Sequence, residues 1–456
     1  MIPILFWEAS DNWEDILRRM IARKEIDLRV WVGTNPRCTF QVHSFDYGDF
    51  PDYVYEGYSK DIYDKVYPCL YRFINMYSRN YRPDRQYAYA CKTVHDFVDI
   101  FSQLLEVFAQ ILIKSEVKLV AYSRMFHLGA DYLMYETAKA LGIKTVLLYQ
   151  SLFPNRFFYF FDENDFGTFK NVKPVSPPPD YFKLPETGRH EWFFMKKAKK
   201  TIVENFVPFS FESEDAVKRR FPYVHVEDYA VEKTHAAHMN ARQRAFFAKF
   251  HETITNDADL DAKFVYFPLH HQPEMSTSSQ GGEFCDQLLA LERLRLKLPD
   301  DWMIYVKDKP IQTFFQRGSW YFDRLKRIRG VKLVPNEFDT IELIRKSKIV
   351  ATITGTAGYE ALLEGTPCIY FGNAWFANIT GAFKMSDDLD VPGLAEFPLD
   401  RRQIEKDLND VLALTAEGVT YYSYRQMVPG FDETYNTVVV AVALASIMRQ
   451  ALDHSA

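Results

Sequence analysis

Short apolar runs alternate along this chain with stretches in which apolar positions recur every three or four residues. In the first half the runs are Ile2–Glu8, Leu28–Val32, Lys118–Tyr122 and Thr145–Tyr149, and they read as buried strands. Between them Asn12–Arg23, capped near Asp11 or Asn12, Val94–Lys114 and Ala130–Leu141, ended by Gly142, read as helices. Tyr58–Tyr77 reads as helical too, inside a Tyr- and Asp-rich stretch from Val42 to Arg85 that otherwise resists assignment. A second block starts at Lys263. Its strands are Phe264–Pro268, Trp302–Val306, Val331–Val334, Ile349–Thr352 and Cys368–Phe371; its helices are Glu283–Lys297, Ser319–Ile328 and Thr340–Lys346. Repeated strand–helix units predict an α/β protein with parallel sheets covered by helices, built as two Rossmann-like lobes facing a cleft.

Prolines cluster between Lys173 and Pro185, with Pro177-Pro178-Pro179 at the centre, and mark a boundary. The expected division is an N-terminal lobe over 1–172, a linker and helical connection over 173–262, a second lobe over 263–399 and closing helices over 400–456. Charged helical segments, Glu191–Glu204, Glu212–Arg220 and Asn240–Thr253, fill the connection. The apolar run Val438–Ile447 is too short to span a bilayer and reads as a packed helix. The first residues open on a strand, with no basic segment or cleavage site, so no signal peptide is expected.

Composition narrows this little: 47% hydrophobic and 25% charged residues are ordinary for a soluble globular chain of 456 residues. The net charge of −6 leaves no strongly basic domain, so nucleic acid is not an expected partner. Local basic runs stand at Lys196–Lys200 and Arg324–Arg329. They read as solvated helix faces or as contacts for anionic headgroups or a charged glycan. Five scattered cysteines show no metal spacing and fit a reducing compartment. The 16% aromatic share suits sugar stacking as well as ordinary packing.

Candidate chemistry gathers where strands end. After Ile349–Thr352 comes Thr354-Gly355-Thr356-Ala357-Gly358, then a short helix bearing Glu360, then Gly365-Thr366-Pro367 and the next strand. Small residues let backbone N–H groups approach an anion, and the helix start favours negative charge. Thr354, Gly355, Thr356 and Gly358 are therefore expected at a phosphate, and Glu360 at a ribose or sugar hydroxyl. The plainer reading is a tight turn that needs small residues. A second cluster, His270-His271-Gln272-Pro273-Glu274, follows Phe264–Pro268. A protonated His could meet a phosphate there, and Glu274 could act as a base or simply cap a loop. Lys307 and Lys309 end a third strand and could neutralise a leaving phosphate, or be surface lysines. In the first lobe, His127 and Asp131 follow one strand and Gln150, Ser151, Asn155 and Arg156 follow the next. His127, Asp131 and Glu8 are the acid or base candidates; Asp131 could equally serve the start of its helix.

With these residues in view, the chain resembles the bacterial capsule polysaccharide biosynthesis family, which includes Kdo transferases that use CMP-Kdo. The likeness is most specific at Phe264–Gly282, Trp302–Pro310 and Ala351–Gly372, and weaker over His127–Phe157. It implies a GT-B type fold and metal-independent glycosyl transfer, with no cofactor beyond a nucleotide-sugar substrate, CMP-linked by analogy. The donor would lie in the second lobe and a glycan or glycolipid acceptor, near Gln150, Ser151, Asn155 and Arg156, in the first. The implied setting is cytoplasmic, with peripheral attachment at the inner face of the inner membrane and a polysaccharide assembly complex as partner. The family's Gln-Pro motif stands as Gln272-Pro273, and its His-Pro motif is replaced by Lys309-Pro310. Relatives carry an acid just after the strand that here ends at Tyr149, where this chain has Gln150. That departure leaves open a different carboxylate, a different enzyme such as a sugar-nucleotide epimerase or hydrolase, or a non-catalytic binding subunit.

Overall fold

The computed structural model describes residues 1–8, 13–47, 50, 52–78, 93–187, 232–310, 312, 314 and 316–453. The expected helices Glu191–Glu204 and Glu212–Arg220, the cap near Asp11 or Asn12, Lys196–Lys200 and Cys91 lie outside them. The chain divides into two compact units. The first includes Met1–Pro179 and Leu412–Ala456; the second includes the stretch from Asp180 and Ala230–Val411. The C-terminal segment thus splits at Leu412 rather than closing the chain as one piece.

The first unit is built on a seven-stranded sheet ordered β13-β6-β5-β4-β1-β2-β3. Its strands are β1 (Ile2–Trp7), β2 (Ile26–Gly33), β3 (Phe40–Gln41), β4 (Leu119–Tyr122), β5 (Lys144–Gln150), β6 (Arg156–Phe160) and β13 (Ala416–Glu417). Pairing is parallel from β3 through β5, with Phe6 opposite both Trp31 and Ala121. It turns antiparallel at β6 and β13. Ile4, Leu5 and Phe6 are fully buried, since helices cover both faces of such a sheet. Burying one such side chain contributes about 1.5–3 kcal/mol.

Helices Glu14–Ala22, Val94–Lys114 and Ala130–Ala140 appear where the spacing placed them. Val94–Lys114 starts on a capping box in which Thr93 and Asp96 exchange hydrogen bonds. Tyr58–Tyr77 is not one helix. It breaks into Tyr63–Val66, a tighter turn Tyr67–Cys69 and Leu70–Tyr77, with Pro68, which has no N–H to give, at the break. Buried Glu106 holds the preceding stretch by accepting from the N–H groups of Glu56, Tyr58 and Ser59 and from the Ser59 hydroxyl. The last helix, Glu433–Asp453, exceeds the run that marked it and is long and apolar enough, by length and composition, to cross a membrane. Half of its most apolar stretch is buried, and it packs against helix Glu14–Ala22, β5 and β13 as a core helix.

The second unit carries six parallel strands ordered β12-β11-β10-β7-β8-β9. They are β7 (Phe264–Pro268), β8 (Met303–Lys307), β9 (Val331–Val334), β10 (Ile349–Thr352), β11 (Cys368–Tyr370) and β12 (Ala382–Lys384). Side chains alternate across it. Val265, Phe267, Ile304, Val306, Ile349 and Ala351 enter one core, and Phe264, Tyr266, Tyr305 and Val350 the other. Helices Gln287–Leu296, Ser319–Lys326, Thr340–Lys346 and Thr356–Leu363 link the strands. The α/β class and the two Rossmann-like units are as the pattern indicated.

Candidate functional sites at the two switch points

In the second unit β8 and β9 lie to one side of β7, and β10, β11 and β12 to the other. The connections after β7 and β10 therefore leave in opposite directions and open a crevice beyond their ends, the place where such sheets take ligands. The sequence candidates 270–274 and 354–360 occupy those two connections.

The loops after β7, β10 and β11 are in direct contact. The Thr354 hydroxyl donates to the Ser276 carbonyl at 2.7 Å, and the Asn373 N–H donates to the Gln280 carbonyl at 2.8 Å. A Cβ on Gly355 would lie 2.8 Å from Cε1 of His270, and one on Gly372 would strike the Gln280 carbonyl. Helix Thr356–Leu363 begins at Gly355 with no side chain capping it. Its first N–H groups are thus the natural anion contact. Gly358 lies on the opposite wall of the helix. A Cβ there would meet Cys368 Sγ and Phe376 at 2.6 Å, so its absence lets the helix approach β11. Gly358 is needed for this packing, and its N–H is given to the Gly355 carbonyl at 3.0 Å.

His270 is buried, and its Nε2 lies 2.9 Å from the Thr352 hydroxyl, which accepts the Gly355 N–H at 3.1 Å. Burial pushes its pKa down to about 3, with Lys309 and Arg317 adding to the effect. The imidazole is neutral at pH 7, which corrects the expectation of a protonated phosphate ligand. Gln272 is also committed. Its N–H donates to Gln312 Oε1 at 2.8 Å, its amide nitrogen donates to the Cys285 carbonyl, and its amide oxygen accepts from Arg317. The Gln272-Pro273 bond is cis, and the Gln272 side-chain amide is engaged at both its nitrogen and its oxygen. Glu274 starts the turn Met275–Ser279, and its carbonyl accepts the Ser278 N–H at 2.7 Å. His271 gives its carbonyl to the Thr277 hydroxyl at 3.3 Å.

The sequence reading missed Arg317. It is fully buried, donates to the His270 carbonyl at 3.0 Å and to Gln272, and faces Asp308 with Nε 3.6 Å from the carboxylate. One guanidinium thereby fixes the loops after β7 and β8. The clue was Asp308 at a buried strand end, which needed a cation.

The two lysines differ. Lys307 turns away and donates to the Phe338 carbonyl at 2.6 Å and the Thr340 hydroxyl at 3.1 Å. Exposed Lys309 stays with the site. Surrounding protein lowers its pKa, while Glu360 and Glu274 oppose that. Glu360 is buried, and its pKa is pushed up to about 7 by burial, opposed by Lys309 and assisted by Glu364. A neutral imidazole, an accessible ammonium, an uncapped helix start and a carboxyl poised near neutrality can together hold an anionic, hydroxyl-bearing ligand.

The first unit repeats the topology. β2 and β3 lie to one side of β1, β4 and β5 to the other, and the crevice opens between the ends of β1 and β4. A cavity of about 90 Å³ sits there, bounded by Glu8, His43, Asp46, Arg124, Leu128 and Asp131 among others. Glu8 is fully buried and accepts from the Trp31 indole N–H at 2.6 Å. Gly33 makes room for it, since a Cβ there would lie 2.8 Å from Glu8 Oε2 and 2.9 Å from Cys38 Sγ. Asp46 holds its proton well above the carboxylate range through burial, with Asp131 adding and Arg124 opposing. Arg124 brings positive charge and no side-chain hydrogen bond among the described residues.

Asp131 reaches the cavity, but its oxygens accept the N–H groups of His127, Leu128, Gly129 and Tyr132 at 2.7–3.2 Å. It clamps the turn into its helix. His127 contributes that N–H and does not line the cavity. Of the three proposed acid or base groups, Glu8 and Asp131 line the cavity and His127 does not. Asp46, His43 and Arg124 were missed as site residues. Asp46 and His43 lie in the stretch whose pattern gives no period.

The four expected acceptor residues lie one strand away, at the ends of β5 and β6 and in the turn between them, and are engaged within the protein. Gln150 donates to the Arg156 carbonyl at 2.9 Å and accepts from the Thr420 N–H at 2.8 Å. The Ser151 hydroxyl donates to the Arg156 carbonyl at 2.6 Å. Asn155 takes a left-handed conformation, φ +55°, and donates to Glu417 at 3.2 Å. Arg156 donates to the Pro177 carbonyl at 2.9 Å. These contacts join the hairpin to its neighbouring segments and leave little for a ligand.

Among solved structures, the Thermosulfurimonas dismutans KpsC beta Kdo 2,4 transferase is similar at 14% identity, covering 72% of this chain and 87% of its own, with a TM-score of 0.29. The beta Kdo 2,7 transferase of the same organism's KpsC follows at 13%, 76%, 88% and 0.31. UDP-GlcNAc 2-epimerase from Methanocaldococcus jannaschii is similar at 11%, 90%, 93% and 0.23. No curated protein matches the chain. Residues 197–421 match the sequence model described as capsule polysaccharide biosynthesis protein, a span that takes in β7 through β12 and both loops of the second crevice. Over that span the chain is similar to the capsule polysaccharide biosynthesis protein family.

Proposed function

We propose that this protein is a glycosyltransferase that moves a sugar from a nucleotide-activated donor to a glycan or glycolipid acceptor in the synthesis of a capsule or related surface polysaccharide. The observation that carries the reading is the convergence at the β7/β10 crevice of the uncapped helix start at Thr356, Lys309 and Glu360. The N–H groups there and the Lys309 ammonium would take up negative charge on the donor phosphate as its bond to the anomeric carbon breaks. Glu360 would accept hydroxyls of the ribose or sugar. In the other unit Glu8 would remove the proton of the attacking acceptor hydroxyl, held in place by Trp31. No divalent cation enters this scheme, so EDTA should leave turnover unchanged. A CMP-linked acidic sugar of the Kdo type is the first donor to test.

The test is nucleotide release by purified protein from a panel of CMP- and UDP-sugars, with and without crude acceptor glycolipid. Acceptor-dependent release is expected. Turnover without acceptor would mark an epimerase or hydrolase, and nucleotide binding without turnover a non-catalytic subunit.

A further inference from the structure

The Arg324–Arg329 run contributes to neither crevice, yet its surroundings are unusual. Leu296 and Trp320 are 82% and 80% exposed, the highest values among the large hydrophobic side chains of the described residues. Leu296 ends helix Gln287–Leu296, and Trp320 stands in the first turn of helix Ser319–Lys326, which packs beside it. Arg324 joins the two helices by bonding Asp286 and Glu292 at 2.6–2.7 Å. Trp320 and Arg324 are four residues apart on one helix and so share a face. Leu296 overhangs a shallow hollow lined also by Arg324, Arg327, Ile328 and Arg329.

Charge follows the same geography. Residues 292–301 and 319–332 carry eight Lys and Arg against four Asp and Glu, within a chain of net charge −6. Arg295 is consumed internally by carbonyls of Trp302 and Leu298. Arg329 and Lys326 share exposed pairs with Asp300 and Glu252, which are weak and replaceable by phosphate. Arg293 and Arg327 are exposed, and no other described residue pairs with their side chains.

We propose that this face of the second unit docks on an anionic lipid bilayer, with Leu296 and Trp320 entering the interfacial layer and Arg293, Arg327 and their neighbours meeting lipid phosphates. The apolar anchors stand apart, separated by guanidinium groups, where a protein interface would need a continuous apolar centre. Tryptophan favours the headgroup level, and arginine holds phosphate bidentately. The docking face does not depend on the glycosyl-transfer reaction.

Vesicle flotation of the full chain tests it, using phosphatidylcholine with and without phosphatidylglycerol. The wild type should float with the anionic vesicles and be released by high salt. Leu296→Ser with Trp320→Ala should weaken binding about tenfold or more. Arg293→Glu with Arg327→Glu should remove the preference for anionic lipid, a loss of roughly thirtyfold. Both pairs lie at the surface, so unchanged circular dichroism and Tm are expected. Equal binding of either double variant and wild type would overturn the proposal. So would absence of flotation, or retention on an acidic polysaccharide alone.

Discussion

The two crevices share one topology and opposite chemistry. At β7/β10 the walls are glycines and backbone amides, and the polar groups left open are a helix start, Lys309 and Glu360. At β1/β4 the walls are side chains, with Glu8, Asp46 and Asp131 around Arg124. The first suits an anion, the second a hydroxyl that must lose a proton. The Rossmann arrangement fixes where a ligand can enter; which atoms line the entrance decides what it does there.

The largest test of this contrast is Glu8→Gln, which should lower kcat by about 10²- to 10⁴-fold with nucleotide binding unchanged. Steady-state kinetics alongside calorimetric titration of nucleotide would show the split; equal losses in both would merge the two crevices' roles. Asp131→Asn should instead lower stability by roughly 1–3 kcal/mol, because it disturbs a four-donor clamp. Gly355→Val should weaken nucleotide binding at least about tenfold by forcing the loop off His270, read by the same titration.

Gln150→Glu probes the residue at the end of β5, where the resemblance implies an acid. A carboxylate can accept the Thr420 N–H but cannot donate to the Arg156 carbonyl, so thermal or urea unfolding should show a loss of about 1–3 kcal/mol. A gain in kcat would mean that the turn, not Glu8, holds the chemistry.

The smallest effect concerns Glu360. Its proton is held more tightly in the folded chain than in the unfolded one. Stability tied to it is therefore full at low pH and is lost as pH rises through about 7. Glu360→Gln should be the more stable protein above about pH 8, by at most about 3 kcal/mol. Donor affinity should rise several-fold as the wild-type carboxyl ionises over about pH 6–8.

Much of the fold was legible because a parallel strand buried on both faces leaves an unbroken apolar run. Val331–Val334 and Ile349–Thr352 were delimited to the residue. β6 was missed, although Arg156–Phe160 is nearly all aromatic, because Pro154-Asn155 is a reversal that strand–helix alternation does not anticipate. β3, β12 and β13 are too short to carry a period. The site was legible as loops but not as atoms. Sequence placed Gln272 and His270 at a crevice without revealing that Arg317 and Thr352 already engage them. Gln150 looked like a vacancy in a catalytic set because the Thr420 backbone that needs its oxygen is far away in sequence.

The glycine-lined floor of the second crevice has a consequence for redesign. Gly281, Gly355 and Gly372 sit where even a methyl group collides, with the Thr277 carbonyl, the His270 ring and the Gln280 carbonyl in turn. Attempts to retune donor choice by randomising those loops should mostly yield misfolded chains. Useful variation is confined to the margin, at Lys309, Thr356, Ala357 and Glu360, where a new side chain changes what the pocket holds without moving what it is made of.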